Sequence, residues 1–277
     1  MWIPESLTSE WRCEPEWLTA LPRLAAECAD LWNLELEEPV ETPHSLVVPA
    51  GEAVLKLNAP SHFEAEREAD ALERWAGNGA VRLLARDDER RALLIERCRP
   101  GTRLWDAGAD EPRIAAELLP RLSLRVTGSH PFSLLVDEAA RWADDVRRRY
   151  DLGGSPFESS LLEYAVGVFR SVEAHAPFLV NQDLHGGNVL RARREPWLVI
   201  DPKPLVGEPE LDGVGFLRNA VLRGQSVGRW LDVLANLRLD RERLRGWGVA
   251  HALAWGWDDN RGWSSRSIDI ARAIRAA

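Results

Sequence analysis

The sequence predicts an α+β protein with two lobes, a small strand-rich lobe over residues 1–98 and a mainly helical lobe over residues 99–277. Two observations support this prediction. Short apolar runs separated by turns dominate the first lobe, as in a small antiparallel sheet. From Asp110 onward, apolar residues instead recur at the three- and four-residue steps of helices. Residues 99–105 are expected to cross from one lobe to the other.

The first lobe is expected to run as a helix, two strands, a helix and two strands. The elements are predicted at residues 14–33, 45–57 (two strands joined by a turn at 49–52), 61–77, 81–85 and 92–97. In the second helix, Ser61 and Glu64 have the spacing of a capping box. Its inward stripe is predicted to be Ala65, Ala69, Leu72 and Ala76, with Glu68 inside that stripe.

The second lobe is predicted to contain strands only around one polar loop. Its helices are expected at residues 111–126, 133–150, 158–175, 211–223, 227–236, 240–257 and 264–276. Strands are expected at 178–181, 189–191 and 197–200, with the first two forming a hairpin around the loop at 181–188.

Composition restricts the class of function. The net charge of −9 argues against general nucleic-acid binding, and it favours a cationic substrate, although solubility alone also accounts for it. Cys13, Cys28 and Cys98 lack metal-site spacing and are expected to be free thiols in a reducing compartment. With neither a signal peptide nor an apolar run near ~18 residues, we expect a cytoplasmic protein without a membrane span.

Three polar side chains are expected at the ends of the predicted strands in the second lobe. Asp183, Asn188 and Asp201 have the parts of a phosphoryl-transfer site, in which one carboxylate orients a hydroxyl while an amide and a second carboxylate bind Mg²⁺. The alternative is that Asp183 and Asn188 only stabilise the loop through backbone hydrogen bonds.

Lysine is nearly absent, since only Lys56 and Lys203 occur among 35 basic residues. Lys56 stands in an apolar strand, where an ammonium group is costly unless it is paired. Glu68 can supply that pairing from the following helix, whereas the alternative is a surface lysine on an edge strand. Lys203 is either solvated or approaches a phosphate.

The segment Asp183-Leu-His-Gly-Gly-Asn188, followed by Val-Ile-Asp201, resembles the small-molecule branch of the protein-kinase-like fold, which includes aminoglycoside phosphotransferases and choline kinases. Its continuation through Asp212 resembles the streptomycin 6-phosphotransferase / hydroxyurea phosphotransferase family. This resemblance implies a two-lobed protein-kinase-like fold that binds ATP or GTP with Mg²⁺.

The resemblance also implies residue roles. It assigns Asp183 as the catalytic aspartate, Asn188 and Asp201 as magnesium ligands, Lys56 as the lysine on the nucleotide phosphates, and Glu68 as its partner. Glu96 and Cys98 would contact the adenine through backbone groups at the hinge. Asp212 is either a helix N-cap or, by the resemblance, an anchor of the loop.

The sequence departs from the family pattern at three points. Asn181 stands where most relatives have histidine, and there is no glycine-rich phosphate loop between the first strands, where only Gly51 occurs. Asp201 is followed by Pro-Lys and not by Phe-Gly, which implies that a protein-kinase-style activation switch is absent.

The acceptor pocket is expected to be acidic and aromatic. Carboxylates combined with tryptophan faces suit a cationic amino-sugar or guanidino compound. The candidate residues are Glu208, Glu210, Trp255, Trp257, Asp258 and Asp259. Because Trp255 and Trp257 lie two positions apart on a predicted helix, at least one of them is expected to be in the core.

The prediction is a kinase that phosphorylates a hydroxyl of an aminoglycoside such as streptomycin, with possible antibiotic resistance as its role. A metabolic amino-sugar kinase and a kinase-fold binding module with little catalysis remain as alternatives. Its partners are expected to be a nucleotide and a cationic small molecule, with no nucleic acid and no membrane. The chain is expected to be a monomer or a weak dimer.

Overall fold

The computed structural model describes residues 2–259 and 261–277, and it divides into two compact units. The first unit contains Met1–Arg103 and Leu190–Asp201, and the second contains Leu104–Val189 and Pro202–Ala277. The single boundary expected near residue 98 differs from this division, because residues 190–201 group with the first unit.

The helices of both units follow the predicted order, except that the short first helix, Glu5–Glu10, was not predicted. They are α1 (Glu5–Glu10), α2 (Pro15–Trp32), α3 (Glu68–Trp75), α4 (Glu111–Leu122), α5 (Leu135–Leu152), α6 (Ser159–Arg170), α7 (Val214–Leu222), α8 (Val227–Ala235), α9 (Arg241–Ala254) and α10 (Ser265–Arg275). No helix in the described ranges is long and apolar enough to cross a membrane.

The strands form one small sheet and several two-stranded ladders. They are β1 (Ser45–Ala50), β2 (Ala53–Asn58), β3 (Leu83–Asp87), β4 (Ala92–Glu96), β5 (Phe178–Asn181), β6 (Val189–Arg191), β7 (Trp197–Val199), β8 (Pro204–Gly207), β9 (Trp257–Asp258) and β10 (Gly262–Trp263). The sheet of the first unit is antiparallel with strand order β1-β2-β4-β3. The predicted α+β class with a small antiparallel sheet is therefore confirmed.

The core of the first unit lies between α2 and the sheet. Buried residues of α2 recur at helical spacing and pack against the apolar side of β1 and β2. Those from the helix are Trp17, Leu21, Ala25 and Cys28, and those from the strands are Leu46, Val48, Leu55 and Leu57. Since side chains alternate along a strand, Lys56 points to the other side of the sheet from Leu55 and Leu57.

The start of α3 was predicted wrongly. A short 3-10 turn, Phe63–Ala65, takes the place of the expected first turns, and α3 begins at Glu68 without a side-chain cap. The capping box at Ser61 therefore does not form. Ala76, expected in the inward stripe, is exposed, because it ends the helix in the left-handed conformation with a φ of 48°.

The hairpin expected around the polar loop is also wrong in its pairing. Strand β5 pairs antiparallel with β8, while β6 pairs with β7. The β8 strand was missed because it begins with Pro204, and proline weakens a strand pattern although it is tolerated at the first position of a strand. Within the second unit, this ladder brings Asn181 opposite Pro204, next to Lys203.

Candidate active site

Lys56 lies at the centre of a buried ion cluster in the first unit. Its Nζ donates to Glu68 Oε2 and to Asp201 Oδ1, both at 2.6 Å. The side chain is only 6% exposed, and β2 is an inner strand between β1 and β4. These observations exclude the alternative of a surface lysine on an edge strand, and they bring together three of the predicted site residues.

Glu68 holds this lysine from a fully buried position at the first residue of α3. A carboxylate is favourable at a helix N-terminus, where the first amide groups carry partial positive charge. Burial nevertheless raises the pKa of Glu68, against the opposing effect of the Lys56 ammonium. Burial also acts to lower the pKa of Lys56, but the carboxylates of Asp201 and Glu68 outweigh it and raise that pKa. Lys56 is therefore held as a cation.

Asp201 occupies a strained backbone conformation two residues after β7. Its φ is +52°, a region that non-glycine residues seldom adopt. Strain of this kind costs of order 1–3 kcal/mol, and it persists where the surrounding structure fixes the residue. The ion pair with Lys56 is one contact that fixes the side chain.

The polar loop of the second unit is organised by Asn181. Its side-chain Oδ1 accepts hydrogen bonds from the backbone N–H groups of Asp183 at 3.2 Å and Lys203 at 3.0 Å. Its own N–H donates to the buried Asp212 Oδ1 at 2.6 Å. Asp212 is thus a loop anchor and not an N-cap, since α7 starts after Gly213 without a side-chain cap.

Asp183 presents its carboxylate among basic side chains of the same unit. Arg218 Nη2 is 3.4 Å and His185 Nε2 is 3.6 Å from Oδ1, while Lys203 Nζ is 4.0 Å from Oδ2. Asn188 Nδ2 donates to the Asp183 carbonyl at 3.0 Å, which makes Oδ1 the atom of this amide that can bind a cation. The sequence did not indicate Arg218, which lies inside an apolar helix far along the chain.

Close packing requires a glycine at position 187 of the loop. Trp105 stacks on His185 with ring centroids 5.2 Å apart and planes 9° from parallel. A Cβ on Gly187 would overlap the ring of Trp105, and one on Gly186 would lie 2.8 Å from Glu111 Oε2. His185 therefore packs in the loop, in agreement with the absence of any chemical role assigned to it.

Glu96 and Cys98, the two residues predicted at the hinge, both belong to the first unit. Glu96 binds Arg194, with Nε 2.8 Å from Oε1, and it accepts from the N–H of Arg82 at 3.1 Å. Burial acts to raise the pKa of Glu96, but Arg194 outweighs it and the pKa is lowered. Burial raises the pKa of Cys98 to about 12, which disfavours the reactive thiolate form. The backbone contacts of Glu96 and Cys98 with a nucleotide stay a prediction.

Glu208 was predicted to line the acceptor pocket, but its side chain instead binds other residues in the interior of the second unit. It is buried, and its Oε1 is 2.9 Å from Arg243 Nη2 while its Oε2 accepts from Trp247 Nε1 at 2.8 Å. Glu210 accepts from the N–H of Asp240 at 3.1 Å. Local sequence could not show these partners, which lie some thirty to forty residues further along the chain.

The expectation that Trp255 and Trp257 lie on one helix is wrong. Trp255 follows the last residue of α9 and stacks on the buried His251, with centroids 3.9 Å apart, whereas Trp257 lies in β9. Asp258 Oδ1 accepts from the N–H of Arg261 at 2.9 Å, and Asp259 Oδ1 accepts from Trp257 Nε1 at 2.8 Å. A role of these residues in acceptor binding stays a prediction.

The burial of Asp212 leads to a testable pH dependence. Burial raises the pKa of Asp212 to about 8, against the N–H of Asn181, which lowers it. Because the folded pKa lies above the unfolded value near 4, the stabilisation is complete at low pH and is lost as the pH rises through the folded pKa. We expect the Tm of wild type minus that of Asp212→Asn to fall between pH 5 and pH 8. A difference that does not change with pH would show that Asp212 is already ionised when folded.

The chain is similar to known kinases over most of its length. The family described as aminoglycoside/hydroxyurea antibiotic resistance kinase matches residues 32–262. Streptomycin 6-kinase of Streptomyces griseus is 35% identical over 255 residues, covering 86% of this chain and 82% of the relative. Hydroxyurea phosphotransferase of Kitasatospora aureofaciens is 37% identical over 260 residues, covering 86% of this chain and 73% of the relative.

A solved structure supports the fold independently. The choline/ethanolamine kinase family protein from Mesorhizobium loti superposes with a TM-score of 0.65 at 16% identity, covering 88% of both chains. Fold and family together define a small-molecule kinase with a protein-kinase-like fold and a nucleotide substrate. The chain belongs to the aminoglycoside/hydroxyurea antibiotic resistance kinase family.

Proposed function

We propose that this kinase transfers the γ-phosphoryl group of ATP to a hydroxyl of a cationic aminoglycoside of the streptomycin type. The buried cluster of Lys56, Glu68 and Asp201 carries the proposal for phosphoryl transfer, because it holds one ammonium group in a fixed position, as pairing with nucleotide phosphates requires. The relative that acts on streptomycin and the net charge of −9 support a cationic acceptor.

In this mechanism Lys56 neutralises charge on the nucleotide phosphates, and Glu68 keeps its ammonium in place. Asp183 accepts a hydrogen bond from the acceptor hydroxyl and orients its oxygen for in-line attack. The hydroxyl oxygen bonds to the γ-phosphorus as the bond to the ADP oxygen breaks. The hydroxyl proton is taken up at the Asp183 carboxylate.

Magnesium fits the donor set that the chain offers. Asn188 Oδ1 and the Asp201 carboxylate are hard oxygen ligands, and Mg²⁺ in kinase sites takes few protein ligands because phosphate oxygens and water complete its coordination. The described residues contain no group of three or more His, Cys, Asp or Glu that could hold a metal by themselves. When bound, Mg²⁺ supplies charge neutralisation of the β- and γ-phosphates.

A phosphoryl-transfer screen tests the proposal. Streptomycin, other aminoglycosides, simple amino-sugars and hydroxyurea would each be incubated with Mg²⁺ and ATP or GTP, with Asp183→Ala as control. We expect kcat/KM for streptomycin with ATP to exceed that for every other pair by roughly tenfold or more.

The hydroxyurea relative supplies a second candidate, because its identity to this chain is equally high. Preferential transfer to hydroxyurea would therefore replace the acceptor but keep the reaction. Transfer to simple amino-sugars alone would indicate a metabolic amino-sugar kinase. Equal inactivity of wild type and Asp183→Ala with all acceptors would contradict the proposed catalysis and favour a kinase-fold binding module.

A further inference from the structure

Lys203 is the second of the two lysines in this chain, and it lies beside Asp183. Its Nζ is 4.0 Å from Asp183 Oδ2, and the residue is 7% exposed. A distance of 4.0 Å exceeds that of a hydrogen bond, so the two groups attract each other as charges. A largely buried ammonium beside the proposed catalytic carboxylate excludes the expectation that Lys203 is merely solvated.

The side chain of Asn181 holds the backbone of Lys203 and the backbone of Asp183. The N–H of Lys203 donates to Asn181 Oδ1 at 3.0 Å, and this oxygen also accepts from the N–H of Asp183 at 3.2 Å. The carbonyl of Lys203 accepts from the N–H of Gln182 at 3.2 Å. A single amide side chain therefore sets the position of the Lys203 backbone relative to that of Asp183.

The two oxygens of Asp183 face different side chains. Arg218 and His185 approach Oδ1, whereas Lys203 approaches Oδ2. Arg218 is within 3.4 Å and already provides a cation that orients the carboxylate. A second cation is not needed to hold Asp183, and a compact ammonium is suited to pairing with a phosphate as a point charge.

We propose that Lys203 is a catalytic residue that binds the transferred phosphoryl group. This inference rests on the proposed function, in which the γ-phosphorus bonds to a hydroxyl oxygen held by Asp183. A cation beside that carboxylate is close to the equatorial phosphoryl oxygens, where the charge of the transition state is spread. Lys203 keeps its proton throughout, while the acceptor proton goes to Asp183 and the bond to ADP breaks.

Binding of two nucleotides tests this role without any acceptor. We would measure the affinity of wild type, Lys203→Met and Lys203→Arg for ADP and for a non-hydrolysable ATP analogue, each with Mg²⁺. A charge-assisted contact to the γ-phosphate predicts that Lys203→Met loses roughly tenfold more affinity for the analogue than for ADP. Lys203→Arg should retain most of the discrimination, since it keeps the charge.

Arg229→Met is the matched control for removing a cation from the second unit. Arg229 pairs with Asp110 at the surface, with Nη2 2.9 Å from Oδ1, so the discrimination between the two nucleotides should not change. Equal losses for ADP and the analogue in Lys203→Met, or no loss for either, would overturn the proposal and leave Lys203 with a structural role. Because no acceptor is present, this outcome is distinct from a failure of the acceptor assignment.

Restoration of the amine provides a second test, which applies even if Lys203→Met folds poorly. Lys203→Cys would be alkylated with 2-bromoethylamine, which rebuilds a side chain with the length and charge of lysine. Lys203→Ala treated in the same way controls for reaction at Cys13 and Cys98. We expect analogue-over-ADP discrimination to return in the cysteine variant alone, by roughly tenfold. No recovery in correctly folded, fully alkylated protein would contradict the proposal.

Discussion

Asp183→Asn is expected to lower kcat by roughly a thousandfold, because general-base and orienting carboxylates contribute about 10²–10⁴ in rate. Asparagine keeps the shape of the side chain and can still accept a hydrogen bond, but it cannot take up the hydroxyl proton. The measurement is steady-state transfer from ATP to the acceptor that the screen identifies, with affinity for a non-hydrolysable ATP analogue measured in parallel. That affinity should change by less than about threefold.

Asp232→Asn is the matched control for this substitution in the same unit. Asp232 is an exposed residue of α8 that accepts a hydrogen bond from Arg241 Nε at 3.1 Å, as asparagine can also do. Its kcat should remain within about threefold of wild type. If Asp183→Asn keeps a comparable fraction of the wild-type kcat, Asp183 does not handle the acceptor proton.

The ion cluster of Lys56 could be predicted because it depends on local periodicity. Strand alternation separates Lys56 from Leu55 and Leu57, and helical spacing places Glu68 in an inward stripe. Each of these patterns covers only a few residues. The pairing of Lys56 with Asp201 is a different case, because these residues are 145 positions apart and only the resemblance to a family connected them.

Local sequence patterns could not predict the surroundings of the residues proposed for the acceptor pocket. Glu208 was selected by charge, but its buried position depends on Arg243 and Trp247 from a later helix. Whether a carboxylate faces a ligand or an internal arginine is decided by tertiary packing, and no local pattern encodes that choice. Arg218 was missed for the same reason.

The role of Asn181 became clear only from the structure. Sequence alone shows this residue only as a departure from the family pattern that the resemblance implies, in which this position is histidine. In the structure its amide oxygen holds the N–H groups of both Asp183 and Lys203. The hydrogen-bond acceptor that organises the loop is therefore present, and the departure from the family pattern does not by itself argue against catalysis.

Lys56→Met is expected to destabilise the folded chain by about 3–5 kcal/mol, because it leaves the buried Glu68 without its counter-ion. It should also lower kcat/KM by roughly 10²–10³, since a preorganised cation on the phosphates is lost. Denaturant unfolding and steady-state phosphoryl transfer measure the two effects. Both losses alone could still result from misfolding, so a second variant is needed to separate them.

The double variant Lys56→Met with Glu68→Leu makes that separation. Replacing a buried ion pair by apolar side chains of similar volume is often neutral or stabilising, so most of the lost stability should return. Activity should not return, because the phosphates still lack their cation. Recovery of both stability and kcat/KM in the double variant would mean that Lys56 serves only to neutralise Glu68. Recovery of stability alone would show that activity needs the ammonium of Lys56 itself, either on the nucleotide phosphates or in the ion pair that fixes Asp201.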